Sequence, residues 1–341
     1  MGQTIISSRS PLTGLTAEVV TENDCSYFYL YHPEAVKNEH DPESYLSTFA
    51  ACWIKNHVKV SDIHSPHDDV KKSLQPKMPT KYCAYPDDIA FLYKEDLEIV
   101  WGKEGSMAGL YENGELICVI PYWTTLDFNG YSKYSRINDV ALVPSPLVRH
   151  VSGELFEKME EAKAFWKQDF HLVWRNYKLA YLAELKRKYG KVLKFYAINQ
   201  GKFPPKGLAV FEKDDIKYAF TLGIGMFPQP KIDLHIEKYQ NYQLFEMAFC
   251  YRTDIGLDEH KVFSQISSII SRPWTFNTFL DYRHAVDLQI NEQYESAVII
   301  ADKNVNLTQS EFLKKQNINL LWLVPVTSES FTLISQGAPY K

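Results

Sequence analysis

The chain has few cysteines and no long apolar run, and each absence argues against certain classes of protein. Only five of its 341 residues are cysteine, and none is spaced C-x-x-C. An odd, scattered set argues against a disulfide framework and a zinc ribbon and favours a reducing compartment. No stretch approaches the roughly 20 consecutive apolar residues that span a bilayer, and the first residues lack the apolar core of a secretory signal. We therefore expect a cytoplasmic protein that does not enter membranes.

The sequence also lacks the short motifs of common catalytic sites. It contains no nucleophile elbow, phosphate-binding loop or dinucleotide turn. Its single G-x-G, Gly223-Ile224-Gly225, has no third glycine and is typical of a turn. We therefore predict no catalytic residues, no cofactor and no metal ligands.

One segment leaves an enzymatic alternative open. The run from His64 to Asp69, His-Ser-Pro-His-Asp-Asp, groups four side chains of the types that bind zinc. Pro66 argues against a helix that would align the two histidines, and no distant further ligand stands out. A solvated loop is the favoured interpretation, and a metal-dependent hydrolase that uses this loop is the alternative.

What the chain does have is the composition of a folded protein with more than one domain. Apolar residues make up 45% and charged residues 23%, close to the averages for globular chains. Its length exceeds the roughly 250–300 residues at which a single core stops growing. The stretch VPSPL at 143–147 cannot continue a helix or a strand. We therefore place one domain at residues 1–150 and a second at residues 151–341.

Charge is shared unevenly between these halves. Residues 1–150 hold 13 Lys and Arg against 20 Asp and Glu, a net of −7, and the remainder carries +2, which gives −5 in total. An acidic half repels the phosphates of nucleic acid and steers a basic protein toward itself. We expect a protein partner and no nucleic acid.

Residue patterns predict an α+β domain in the N-terminal half. Residues 41–58 place apolar side chains at helical spacing behind Asp41 and Pro42, which predicts a helix, and the stretch to about residue 86 has no period and indicates a loop. From Ile89 onward apolar runs alternate with turns, and Asn113-Gly114 between two of them is a strong hairpin signal. This half is expected to contain an antiparallel meander.

The C-terminal half alternates helical and extended patterns. Residues 153–189 predict a helix that Ser152 can cap, with a restart near Gln168-Asp169 and an end at Gly190. A second helix is predicted over 259–271, and a short third one begins at Thr327 or Ser328. Six extended runs predict strands: VLKFYAI, GLAVFE, KYAFTLG, LFEMAFCYR, SAVIIA and INLLWLVPV.

Three stretches of this half form an ordered set: Thr221–Met226, Tyr242–Phe249 and Leu320–Thr327. In order and spacing they resemble the Suppressor of fused (SUFU) domain, which has a T-x-G-M-S-like turn after a strand, an E-L-type strand, and a terminal F-L-W-L-V-P-I-T strand that runs into a helix. Gly225 departs from the Met-Ser of that turn. The resemblance covers roughly residues 165–341, about half of the chain.

The resemblance implies a mixed sheet flanked by helices that binds proteins without catalysis. The animal member of the family holds Gli transcription factors through a peptide strand, and bacterial relatives resemble immunity proteins that neutralise toxins. We therefore expect an immunity-protein-like member whose partner is a cognate toxin domain. An intracellular scaffold that binds extended peptide segments is a further alternative.

Four residues are assigned to partner binding: Trp274, Tyr282, Arg283 and His284. Trp274 follows a predicted helix and has the type of side chain that anchors interfaces, although burial in the core explains a tryptophan equally well. The other three belong to Asp281–His284, a stretch that loosely resembles the G-H-T-I-like segment of the family.

Overall fold

A computed structural model describes residues 2–32, 50–124, 129–137, 140–301 and 310–335 of the chain. The fold is α+β, as predicted, with helices and three sheets of four, five and seven strands. It divides into two compact units, Met1–Lys167 and Gln168–Lys341, which we call the N-terminal and the C-terminal unit. None of the helices in the described ranges combines the length and the apolarity that a membrane crossing requires.

The first sheet of the N-terminal unit is an antiparallel meander of four strands that pair in chain order. Ala17 and Val19 are buried while their neighbours are partly exposed, so the second strand shows the alternation of a sheet with one covered face. The four strands are β1 (Gln3–Arg9), β2 (Thr16–Glu22), β3 (Cys25–Tyr31) and β4 (Ala50–Asn56).

The helix predicted over residues 41–58 is wrong where the structure describes it. Residues 41–49 lie outside the described ranges, and Ala50–Asn56 form β4, which pairs antiparallel with β3. Cys52, Trp53 and Ile54 are all buried, so both faces of this strand are covered. A short strand buried on both faces has no period of two, and its apolar spacing resembles that of a helix.

A second sheet and a short helix complete the β-rich part of this unit. The Asn113-Gly114 hairpin is confirmed, because both residues have positive φ (49° and 83°) and join two paired strands. The helix is α1 (Pro66–Lys71), and the strands are β5 (Leu97–Trp101), β6 (Ala108–Glu112), β7 (Glu115–Ile120), β8 (Tyr131–Ser132) and β9 (Ser145–Pro146).

The boundary between the units lies later than the sequence indicates. Helix α2 (Arg149–Trp166) is kinked at Ser152, whose backbone is not helical, so a helical break lies where the sequence predicts the helix to start. The Ser152 hydroxyl donates to the Pro146 carbonyl oxygen, and no bond from a following N–H group to this hydroxyl is seen. Leu155, Met159 and Ala162 are buried in one cluster with residues of the second sheet. The proline-rich stretch at 143–147 therefore leads into a helix that belongs to the N-terminal unit, and the division falls at 167/168 instead of near 150.

This assignment predicts how fragments of the chain behave. A fragment of residues 1–167 should unfold cooperatively in urea, whereas a fragment of residues 1–150 should not, because it lacks the helix that covers the second sheet. Far-UV circular dichroism against urea concentration measures the difference. Identical midpoints and slopes for the two fragments would contradict the assignment of α2.

The C-terminal unit is built on one seven-stranded sheet with the order β10-β11-β12-β13-β16-β15-β14. Neighbouring strands are antiparallel except for β13 and β16, which are parallel, so the sheet is mixed. All six extended runs predicted from sequence are confirmed as strands. The strands are β10 (Val192–Ala197), β11 (Gly207–Lys213), β12 (Ile216–Leu222), β13 (Phe245–Arg252), β14 (Ala285–Asp287), β15 (Ser296–Ala301) and β16 (Asn319–Val326).

Two long helices cover opposite faces of this sheet. The side chains of β13 alternate: Glu246 bonds to Tyr177 on the first helix, and Phe245 stacks on Trp274 of the second. The predicted helix positions are confirmed, including the restart, where Asp169 caps the first helix by accepting from two backbone N–H groups. The helices of this unit are α3 (Phe170–Tyr189), α4 (Glu259–Thr275), α5 (Glu311–Lys315) and α6 (Ser328–Ser335).

Candidate functional site

Trp274, assigned to partner binding from the sequence, lies in the core of the C-terminal unit. It is 5% exposed, its ring stacks on Phe245 with centroids 6.4 Å apart, and its indole N–H donates to the Pro228 carbonyl oxygen at 3.1 Å. An interface anchor requires an exposed ring. We therefore correct the assignment of Trp274 to core packing, the alternative that its sequence position left open.

Tyr282, Arg283 and His284 lie together immediately before β14, which forms one edge of the sheet. Tyr282 and Arg283 are exposed, and the guanidinium carbon of Arg283 is 5.1 Å from the centroid of the Tyr282 ring. Tyr282 also borders a cleft of about 680 Å³. The His284 ring is half-buried beside Phe279, and burial lowers its pKa. Two of the four assigned residues are thus accessible to a partner.

The segment predicted as a loop contains a short helix, Pro66–Lys71, which begins two residues after His64. Pro66 does not prevent this helix, because it occupies the first position of α1, where a missing N–H costs nothing. The Nε2 atom of His64 is 2.7 Å from Oδ2 of Asp69, which also accepts from the Lys77 backbone N–H at 3.0 Å. Within the described ranges, no three His, Cys, Asp or Glu side chains are grouped closely enough to hold a metal ion.

Glu246 on β13 is a fully buried carboxylate with four donors. Its Oε1 atom accepts from the Tyr177 hydroxyl at 2.6 Å and from the backbone N–H groups of Gly223 at 2.7 Å and Gly225 at 3.1 Å. Its Oε2 atom accepts from the Thr221 hydroxyl at 2.6 Å. Burial raises the pKa of Glu246, and these hydrogen bonds offset part of the rise. Both oxygens are used by the protein itself, so Glu246 has a structural role.

This carboxylate fixes the turn that follows β12. Gly223 has φ of 105°, and a Cβ there would lie 2.9 Å from the Trp174 ring and would collide with the Pro205 carbonyl oxygen. Only glycine fits a position with that φ and that clearance. The interpretation of Gly223-Ile224-Gly225 as a turn is confirmed. This turn lies directly behind Trp174 and Pro205.

Replacing Glu246 by Ala should therefore destabilise the fold strongly. We expect the free energy of unfolding to fall by about 3 kcal/mol or more, because each buried donor left unpaired costs roughly 1–3 kcal/mol. Glu246→Gln keeps one acceptor oxygen, so its free energy of unfolding should lie between those of Glu246→Ala and the parent protein. Urea unfolding measures the loss, with Glu212→Ala, an exposed glutamate on β11, as the matched control. A Glu246→Ala protein as stable as its control would contradict this role.

An aromatic groove of about 190 Å³ opens between α3 and the β10–β11 hairpin. Four aromatic rings, a histidine and three lysines contribute to its walls, and in α3 three of them recur at every fourth residue, so they form one stripe along the helix. The Phe203 ring is 44% exposed and packs edge-on against Phe170 with centroids 5.4 Å apart. We define the aromatic groove by six of its lining residues, Phe170, Trp174, Lys178, Phe195, Lys202 and Phe203.

Strand β10 borders this groove and forms one end of the sheet, so no described strand pairs with its outer side. The Ile198 N–H donates to the Lys206 carbonyl oxygen at 3.0 Å, and bonded and non-bonded pairs alternate along an antiparallel ladder. It follows that the backbone N–H groups of Phe195 and Ala197 point away from β11. Both residues are exposed.

The edge strand is linked to α4 by a shared glutamate. Glu259 on α4 accepts from Lys194 of β10 at 3.0 Å, from Lys217 of β12 at 2.6 Å and from the Tyr251 hydroxyl at 2.7 Å. Burial acts to raise the pKa of Glu259, but these partners outweigh it and lower the pKa to about 2. The Phe195 ring lies over Gly207, where a Cβ would approach it to 2.6 Å. A preformed edge loses little entropy when a partner binds.

Lys206, at the end of the groove, is half-buried and has no carboxylate partner among the described residues. Its Nζ atom donates to the Ser271 hydroxyl at 2.9 Å and lies 5.7 Å from the centroid of the Trp274 ring. No acidic side chain of the described residues lies within ion-pairing distance of it. Burial lowers the pKa of Lys206 to about 8.

This lowered pKa makes stability depend on pH in a defined window. Above pH 8 the folded chain has lost the Lys206 proton, whereas the unfolded chain keeps it until about pH 10.5, so the contribution of Lys206 to stability rises with pH between these values, by at most about 1.4 kcal/mol per pH unit. Lys206→Met should thus stabilise the protein most at pH 7 and least at pH 10.5. Urea unfolding at both pH values, with the exposed Lys261→Met as control, measures this. An equal effect of Lys206→Met at the two pH values would contradict the lowered pKa.

Comparison with known proteins adds no relative: no family model, no curated protein and no solved structure matches the chain. The resemblance to the SUFU domain therefore rests on the three stretches alone. These stretches include the end of β12 and parts of β13 and β16, which are neighbours in the sheet, and Glu246 bonds the first stretch to the second. Membership of the family stays a prediction.

Sequence reasoning missed the aromatic groove. Phe170 and Trp174 fall within the helix predicted over 153–189, and nothing in the spacing separates a ring that faces the sheet from one that faces solvent. The available signal was the predicted strand VLKFYAI, in which the charged Lys194 and the apolar Phe195 face opposite sides. That pattern identifies a half-covered strand but not its place at the edge of the sheet.

Proposed function

We propose that this chain is a non-catalytic protein-binding protein, and that it acts as an immunity protein that neutralises a cognate toxin domain by direct binding. The observation that supports it best is the unpaired edge of β10 beside the aromatic groove. An extended segment of a partner can add to such an edge through main-chain hydrogen bonds, while pockets beside it select side chains.

The edge of β10 is shielded only in its first half, by a register shift between Val192 and Lys194 and by the charge of Lys194 itself, and the half that follows, with Phe195 and Ala197, has neither device. Natural sheets shield their edges with short strands, inward charges, prolines or covering loops. β10 is six residues long, and its Leu193 and Phe195 side chains are 50% and 38% exposed. β14, at the opposite end of the sheet, is only three residues long. A long apolar edge favours pairing with another chain, so β10 is the better binding edge.

The choice of a toxin as the partner is supported by two further observations from the sequence. The resemblance to the SUFU domain implies relatives of the immunity type, and the net charge of −7 over residues 1–150 would accelerate the approach of a basic protein. The metal-dependent alternative receives no such support, since His64, which precedes α1, bonds to Asp69 of that helix.

The proposal is tested with the protein encoded beside this one. Co-expression should protect cells from that protein, and the two should co-purify as a complex. A neighbour that is not toxic, together with no protein bound from the host, would contradict the immunity role.

A pair of matched substitutions tests the edge in that complex. Ala197→Pro removes the outward N–H of β10 and should weaken binding about tenfold or more, which corresponds to about 1.4 kcal/mol, the scale of one hydrogen bond lost. Ala197→Ser keeps the N–H and should bind like the parent. Isothermal titration calorimetry measures both affinities, and urea unfolding verifies that both variants fold. Equal binding by the two variants would exclude β10 as the contact.

A further inference from the structure

The walls of the aromatic groove carry charge of one sign only. Its titratable side chains are Lys178, Lys202, Lys206 and His171, and no Asp or Glu is among the residues that line it. The N-terminal half has the opposite balance, with a net of −7. The groove is therefore a local cationic site on an acidic protein, and its preference need not follow the net charge.

Two of these lysines are placed to meet a ligand. The Nζ atom of Lys178 is 4.8 Å from the centroid of the Phe195 ring and 5.9 Å from that of Trp174, so the ammonium group lies over the aromatic wall. Lys202 is exposed. Among the described residues, neither ammonium group has a carboxylate within 4 Å. A ligand that brings carboxylates would supply ion pairs that the protein does not make itself.

The size of the groove limits what enters it. Drug-sized ligands and cofactors occupy roughly 300–1,000 Å³, and the groove offers about 190 Å³. It therefore suits one large side chain better than a whole small molecule. The exposed rings of Phe195 and Phe203 provide the apolar surface for that side chain.

We propose that the aromatic groove takes an extended acidic segment of a protein, with one large apolar side chain held among its rings and flanking carboxylates paired with Lys178 and Lys202. This inference rests on the proposed function and names the chemistry of the partner. The backbone of the segment lies along β10, next to Phe195. The segment is thus recognised by the strand edge, the aromatic rings and the lysine charges together.

Selection of peptides by the whole protein tests this preference. The probe is a displayed library of random 12-residue peptides, bound to the full-length chain at low salt. Enrichment of Asp and Glu around an aromatic or large aliphatic residue is expected. Selected peptides should bind Lys178→Glu/Lys202→Glu about tenfold or more weakly, and the loss should shrink at high salt. The matched control, Lys186→Glu/Lys261→Glu, changes two exposed lysines outside the groove and should bind normally.

Reversing the charges of both molecules gives the sharpest arm of the experiment. Peptides with Lys in place of their Asp and Glu should regain binding to Lys178→Glu/Lys202→Glu. Selected peptides without acidic enrichment, or no selected peptides at all, would overturn the proposal. Binding of an oligo-dT probe that depends on Lys178 and Lys202, in place of peptide binding, would assign the groove to nucleic acid and overturn it too. If the neighbouring toxin still forms a complex after any of these failures, the proposed function stands and only the acidic segment is excluded.

Discussion

A carboxylate without access to water holds the centre of the C-terminal unit together. Glu246 joins α3, through Tyr177, to the turn after β12, through the backbone of Gly223 and Gly225. Such a group is tolerated only because its oxygens are fully used by donors. The same bonds determine where Trp174 packs, since Gly223 lies against its ring. The aromatic groove therefore has a wall whose position is set from inside the core.

β10 is held by the protein on its inner side, but its outer side is an incomplete edge of the sheet. Helix α4 anchors the strand through the Lys194–Glu259 ion pair, and β11 pairs with its inner side, yet the outward N–H groups of Phe195 and Ala197 have no partner among the described residues. A finished enzyme site would instead bring acid, base or nucleophile groups together. His64, His284 and Glu246 each contact the protein's own atoms. The exposed edge of β10 is consistent with the proposed role, the binding of another chain.

Much of the fold was predictable where local rules decide it. Asn113-Gly114 gave a hairpin because its backbone needs positive φ, and Asp169 and Gly190 marked the ends of α3 because helix termini need caps. Predictions failed where tertiary contacts decide. β4 is buried on both faces and so resembled a helix, α2 joined the unit before it because its apolar face packs there, and Trp274 went into the core. The groove could not be predicted, because it depends on which strand ends the sheet, and no short-range pattern carries that information.

The central claim is that a partner protein adds to the outer side of β10. Amide hydrogen exchange, measured on the full chain alone and in the presence of the protein encoded beside it, tests this most directly. The claim predicts that exchange at Phe195 and Ala197 becomes slower in the complex, because their free N–H groups gain acceptors. Unchanged exchange at both amides, with protection confined to β14 or to the N-terminal unit, would contradict it.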